Sequence, residues 1–259
     1  MATQKRRIHS PQLTGRLDAV RAIIGCMTEA IRVNFGRPMP VFPLPDAVLL
    51  PHAIQPLHVF EQRYRQLVND CLDGSGQIAI AAFAGDEWKN DSEVQPSLRP
   101  AVCVGQIVQH EALEDGRHDI LLQGICRAKI VRMIEPTNGR GYRLADLAPL
   151  EAIGSQPPPM VDIRRQLREM LTSPRLSQLR SVETVMAWFD REDVSTHALL
   201  EFIGFALLRD SELKYRLLEE ASPQRRARII KDELANLDDL VGRAQRQPYE
   251  SWPKGMSWN

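Results

Sequence analysis

Apolar residues change their spacing once along the chain, near residue 160, and the change divides it. Before it they come in short runs cut by glycine, proline and aspartate, the pattern of strands and turns. Met39–Leu44 (MPVFPL) reads as a strand, but Pro40, Pro43 and Pro45 bring no N–H, which predicts an edge position or a break. Residues 47–50 and Pro51 form an apolar turn, and 55–59 a second strand. Over 61–72 the period becomes helical: Tyr64, Leu67, Val68, Cys71 and Leu72 share one stripe, Glu61 suits the positive end of the helix dipole, and Gly74 and Gly76 end it. Residues 78–84 (IAIAAFA) read as a buried strand, and 85–99, rich in Asp and Glu, as a solvated loop. The next strand spans 101–111, and its apolar positions shift phase at Gly105, which predicts a bulge. Asp115-Gly116 marks a hairpin, 118–122 returns, 125–134 continues after Gly124, a turn follows at 139–141, and 142–150 closes the set. Short strands with tight turns and a single helix predict a small β-barrel-like unit crossed by one helix.

Residues 152–160 contain Pro157-Pro158-Pro159, which predicts a stiff polyproline II linker. Helical periods follow over 162–171, 181–189, 193–208, 211–221 and 222–240. Ser195 is placed as an N-cap, and Ser222 before Pro223 as a cap with proline in the first turn. The fold class expected is α+β, a β-rich unit over 39–151 and a helical bundle over 161–245. Residues 246–259, with Trp252 and Trp258, carry no period and read as a tail.

The first 38 residues differ. Lys5, Arg6, Arg7, Arg16, Arg21, Arg32 and Arg37 face only Asp18 and Glu29. An amphipathic helix over 17–33, a flexible basic arm and an Arg-rich transit peptide all fit, and Met39 is an alternative start. Over the whole chain Lys+Arg equals Asp+Glu at 33 each, so global charge supplies no argument for nucleic acid. No apolar run approaches a membrane span. Cys26, Cys71, Cys103 and Cys126 are scattered without a CxxC pair, which reads as reduced thiols in a cytoplasmic protein.

Little chemistry is visible. His52 and His58 flank a proline on what alternation makes one face, yet no third ligand accompanies them, so no metal or cofactor is expected. His110-Glu111 opens like a metalloprotease motif and continues Ala-Leu-Glu. Asp46 after Pro45 suits a side-chain-closed turn. Cys103 and Cys126 sit among apolar neighbours, and Arg127 faces away from Cys126. Arg225, Arg226 and Arg228, flanked by Glu219, Glu220, Asp232 and Glu233, read as a solvated helix face. The candidate surface is apolar: Pro43, Leu44, Leu49, Leu50, Pro51 and Pro56 crowd one irregular segment, joined by Phe60 and Tyr64. Those left exposed would make a peptide-binding patch, beside a strand edge to which extended chains could add; the others pack the barrel.

The ordered succession of these segments resembles the N-terminal, substrate-binding domain of Lon proteases. PVFPLPDAVLLPHAIQPL (40–57), PAVCVGQI (100–107), DILLQGICRAKIV (119–131) and YRLADLAPLE (142–151) follow its strands, and 199–240 follow its helices more loosely. The resemblance implies a PUA-like β-fold with a helical bundle and a role in engaging unfolded or degron-bearing polypeptides. No G-x-x-x-x-G-K-[ST] loop occurs, so the expectation is a stand-alone, non-catalytic module, an adaptor of unknown oligomeric state, for which a peptidase name describes ancestry. Two alternatives stay open: a small-ligand binder or enzyme reusing the β-unit, which needs a deep pocket of convergent polar groups, and an RNA-binding PUA-like protein, which needs a basic stripe.

Overall fold

The computed structural model describes residues 31–45, 47–85, 96–151 and 160–245. Two units separate at Asn34/Phe35, and every helix and strand among the described residues belongs to the second. The expectations for residues 1–30, for Asp46, for the acidic loop at 86–95, for the proline run and for the tail lie outside the described residues.

Six strands come first: β1 (Met39–Leu44), β2 (Ile54–Val59), β3 (Gln77–Phe83), β4 (Leu98–Ala112), β5 (His118–Ile134) and β6 (Leu144–Pro149), with helix α1 (Gln62–Leu72) crossing between β2 and β3. Five helices follow: α2 (Val161–Leu171), α3 (Arg180–Phe189), α4 (Thr196–Leu207), α5 (Ser211–Glu219) and α6 (Pro223–Gln245), with a 3-10 turn at Leu176–Gln178. The fold is mixed α+β.

The sheet order is β2-β5-β4-β3-β1-β6, and β6 also pairs with β5, so the hydrogen-bonded neighbours run in a closed circuit with β2 attached outside it. β1 therefore has a strand on each side, contrary to the edge or broken strand expected from its prolines. The reason is local. β6 meets only Met39 and Pro40, and β3 meets only the stretch from Val41 to Leu44, so each half of β1 is paired on one side only, as an edge strand is, which accommodates prolines that cannot donate. The hairpin at Asp115-Gly116 forms as expected: Gly116 takes φ +78°, its N–H reaches the Leu113 carbonyl, and Leu113 N–H reaches that of Arg117. The β4–β5 register also shifts beside Gly105, as its phase change predicts.

Gly124 fixes how the chain before β2 lies on β5. Its carbonyl accepts from His52 N–H at 2.8 Å and its own N–H reaches the Ala53 carbonyl at 2.9 Å. A Cβ here would stand 2.1 Å from the Leu50 carbonyl oxygen, so only glycine permits the crossing. His52 turns the corner at φ +63°, a strained conformation for a side chain of this size.

Two of the later helices start on side-chain caps. Ser195 accepts from Ala198 N–H at the start of α4, Asp210 does the same for Leu213 at the start of α5, and Pro223 opens α6. One hydrophobic core runs through both halves, from Leu50, Leu67 and Leu122 to Leu199, Ile203 and Ile230. Gly204 lets α4 and α5 approach, since a Cβ there would meet Leu217 Cδ1 at 2.7 Å.

Candidate functional site

Of the eight residues expected to form an apolar patch, six are buried. Pro43, Leu44, Leu49, Leu50, Pro51 and Tyr64 pack inside, where Tyr64 lies 4.4 Å, centroid to centroid, from Phe42 and Leu50 is fully covered. Pro56 and Phe60 are exposed, the latter at 62%. They flank His58, whose Nδ1 lies 2.7 Å from Asp119 Oδ1 and whose ring stacks on Phe60. His58 is thus held by the neighbouring strand. His52 lies instead in the turn, beside the charges of Glu201 and Arg127, and burial lowers its pKa. The two histidines do not share a face, and among the described residues no group of three or more His, Cys, Asp or Glu could hold a metal.

A larger concave feature among the described residues lies elsewhere. Where β3 meets β4, Ala81 pairs with Val102 and Phe83 with Leu98, so that Arg99, Pro100 and Ala101 stand opposite Ala82 alone. This bulge turns the strand out toward α5. The Ala101 N–H donates to the Tyr215 hydroxyl at 2.8 Å, which fixes the ring of α5 against the strand. Arg99 lies over that ring, its guanidinium carbon 3.4 Å from the centroid, and donates from both terminal nitrogens to Glu212, one bond measuring 2.9 Å. A cleft of about 390 Å³ opens here between sheet and helix. Ala47, Val48, Ala82, Ala84 and Gly85 give it small apolar walls, with Phe83 on one side and Arg99, Ser211, Glu212 and Tyr215 on the other. The hydrogen bond and charge of Arg99 hold the Glu212 carboxyl below its ordinary pKa. A second, much smaller hollow shares Phe83 and is lined by Pro43, Tyr64, Arg63 and Arg143.

Apart from the cleft, charges are buried where strands meet helices. Glu201 of α4 is 3% exposed and accepts from Arg127 Nη2 of β5 at 2.5 Å, while its other oxygen lies 3.2 Å from Arg226 Nε of α6 without the alignment of a hydrogen bond. Glu151, half-exposed, sits 2.7 Å from Arg226 and 3.4 Å from Arg127. At Arg127 burial opposes the charge, but Glu201 and Glu151 outweigh it and the pKa stays raised; at Arg226 burial and the charge of Arg127 win and the pKa falls. The solvated face expected for Arg225, Arg226 and Arg228 therefore holds for the outer two, and Arg226 points inward. The thiols of the three described cysteines are disfavoured as thiolates: burial pushes Cys71 up to about 12, Cys126 up to about 11, and Cys103 well above its ordinary value.

A family model of the ATP-dependent protease La (LON) substrate-binding domain matches residues 38–236. The Lon protease of Escherichia coli strain K12 is 29% identical over 143 residues, covering 54% of this chain and 16% of that protein. The Lon protease of Trichlorobacter lovleyi is 26% identical over 207 residues, 78% of this chain and 24% of that protein. Among solved structures, the N-terminal domain of Mycobacterium avium complex Lon protease superposes with TM-score 0.58 at 17% identity, over 77% of this chain and 99% of that one. A Lon N-terminal domain protein from Xanthomonas campestris gives TM-score 0.51 at 22% identity, over 77% and 98%. The match thus takes in only 16% and 24% of the two Lon proteases, but nearly the whole of each solved domain.

Proposed function

The chain belongs to the LON substrate-binding domain family, and on that premise we propose that it is a polypeptide-binding module, without bond-breaking chemistry of its own, that receives segments of unfolded or degron-bearing chains in the cleft between the β3–β4 bulge and α5. The observation that carries this is the cleft itself, a concavity with small apolar side chains on one wall and Arg99, Ser211 and Glu212 on the other. An adaptor role, handing such chains to a separate protease, follows from the same reading. The pKa values of Cys71, Cys103 and Cys126 favour a module that binds without a thiol nucleophile. The closed strand circuit supports a PUA-like barrel as the scaffold. No described helix is long and apolar enough to cross a membrane, and a cytoplasmic setting accords with unpaired thiols.

The test is association of the purified chain with a fluorescently labelled, permanently unfolded polypeptide, read by anisotropy. Ala84→Trp, which fills the cleft from its apolar wall, should abolish binding while leaving the melting temperature near that of the parent. Equal binding by Ala84→Trp would place recognition elsewhere, with the exposed Phe60 and the edge of β2 next in line. No association by the parent chain would refute the reading, and preferential capture of a salt-sensitive RNA or of a small metabolite would replace it with one of the two alternatives.

A further inference from the structure

Arg99 and Glu212 form an ion pair whose two members are held very differently. The arginine is pinned three ways. Its backbone belongs to the bulge of β4, its guanidinium lies on the Tyr215 ring, and that ring is itself tied to the strand through the Ala101 N–H. Its side chain is 25% exposed. Glu212 is 63% exposed, stands on the first turn of α5, and among the described residues its carboxylate accepts hydrogen bonds from Arg99 alone. An ion pair this exposed contributes little, because water solvates a released carboxylate almost as well. The fixed partner is therefore cationic and the exchangeable partner anionic.

Resting on the polypeptide-binding reading above, we propose that Glu212 is a stand-in for a carboxylate of the bound chain, and that the cleft selects segments presenting a carboxylate beside a small apolar stretch. The incoming group takes both guanidinium donors of Arg99 as a planar fork, Glu212 swings to solvent, and the charge count at Arg99 is unchanged. A ligand cation would gain only Glu212 and would meet Arg99 directly behind it, so charge complementarity favours the anion. The alanine and valine walls next to Arg99 accept small apolar side chains adjoining the carboxylate. That carboxylate can come from an aspartate or glutamate side chain or from a chain terminus, and the chemistry at Arg99 is the same for both.

The experiment uses the full chain and a short fluorescent peptide rich in alanine and valine, prepared with a free C-terminal carboxylate, with a C-terminal amide, as the amide with one internal glutamate, and as the amide with glutamine in that place. Anisotropy gives Kd for each, on the parent chain and on Glu212→Gln and Arg99→Gln. The carboxylate-bearing peptides should bind more tightly than the plain amide and the glutamine peptide, and comparison of the terminal with the internal form identifies the source. The distinguishing result is Glu212→Gln. Deleting the internal competitor should tighten carboxylate peptides by about threefold while leaving the amides unchanged, the opposite of what loss of a direct ligand contact would do. Arg99→Gln should bring every peptide to the affinity of the amide. The proposal is overturned if Glu212→Gln weakens or fails to change carboxylate binding, or if the amides bind as well as the acids. In those cases binding itself persists and the polypeptide-binding reading stands; if no peptide and no unfolded protein binds the parent chain, both fail together.

Discussion

Glu201→Gln should be among the most damaging conservative substitutions in the helical half. The change keeps the shape of the side chain and removes one charge. It leaves Arg127 and Arg226, at 1% and 4% exposure, with backbone carbonyls and, as their one carboxylate among the described residues, Glu151, which is itself 39% exposed and shared between them. Breaking a buried ion pair by deleting one partner costs ~3–5 kcal/mol, because the surviving charge stays desolvated and uncompensated. For a fold of this size each kcal/mol moves the midpoint by about 2–4 °C, so thermal unfolding should shift down by roughly 6–20 °C. The shift is measured by circular dichroism, with urea unfolding as a second reading of the same free energy. The control is a joint replacement, Arg127→Met, Glu201→Leu and Arg226→Met, which removes charge and desolvation together and should recover stability to within about 2 kcal/mol of the parent. A Glu201→Gln chain that melts within about 1 kcal/mol of the parent would show that the joint is open to water and that the buried-charge reasoning is wrong.

Gly124→Ala should destabilise by more than ~2 kcal/mol in the same assay, because the clash is with the Leu50 backbone oxygen and no side chain can move to relieve it. Tyr215→Phe strands the Ala101 N–H and should cost ~1–3 kcal/mol; the phenyl ring that remains should still support Arg99, so measurable loss of peptide binding without loss of stability would contradict the tether assigned to the hydroxyl. Burial lowers the pKa of both His52 and His118, the latter also under the charge of His110. Unfolded histidine binds a proton near pH 6.5 while these folded ones resist it, so stability should be complete above that pH and fall as pH drops below it, toward the depressed folded values. Urea midpoints that stay flat or rise between pH 7 and pH 5 would reject this, and His118→Gln should reduce the slope. The thiols of Cys71 and Cys103 should react with iodoacetamide only on unfolding, which alkylation followed by peptide mass analysis checks.

The strands and helices were largely legible in the sequence because each carries its own local signal. Gly116 supplies the positive φ of its hairpin, Ser195 closes the first turn it precedes, and the stripe of Tyr64, Leu67, Val68 and Cys71 is buried as its spacing implies, though Leu72 at its end is exposed. What the sequence concealed depends on partners far along the chain. The prolines of β1 gave no sign that two strands would divide its length between them. Arg226 was indistinguishable from its exposed neighbours because only Glu201 and Glu151 make it an interior residue. The apolar segment from Pro43 to Pro51 lacks a period, so the sequence could not divide its core residues from a possible surface patch; its irregular path over Gly124 is what lets it fill the core. The cleft escaped notice for the same reason: Arg99 and Tyr215 are 116 positions apart, and the bulge that joins them leaves no local signature beyond Pro100.

Because a single interior is shared by strands and helices, neither part can be exchanged or borrowed alone. A chain cut at residue 151 would leave Leu50 without α4, against whose Gly204 it packs, and Arg127 without its carboxylate from α4. Such a fragment should aggregate, and the intact chain should lose its strands and its helices in one step, so that whatever grips a guest at their boundary is present whole or not at all.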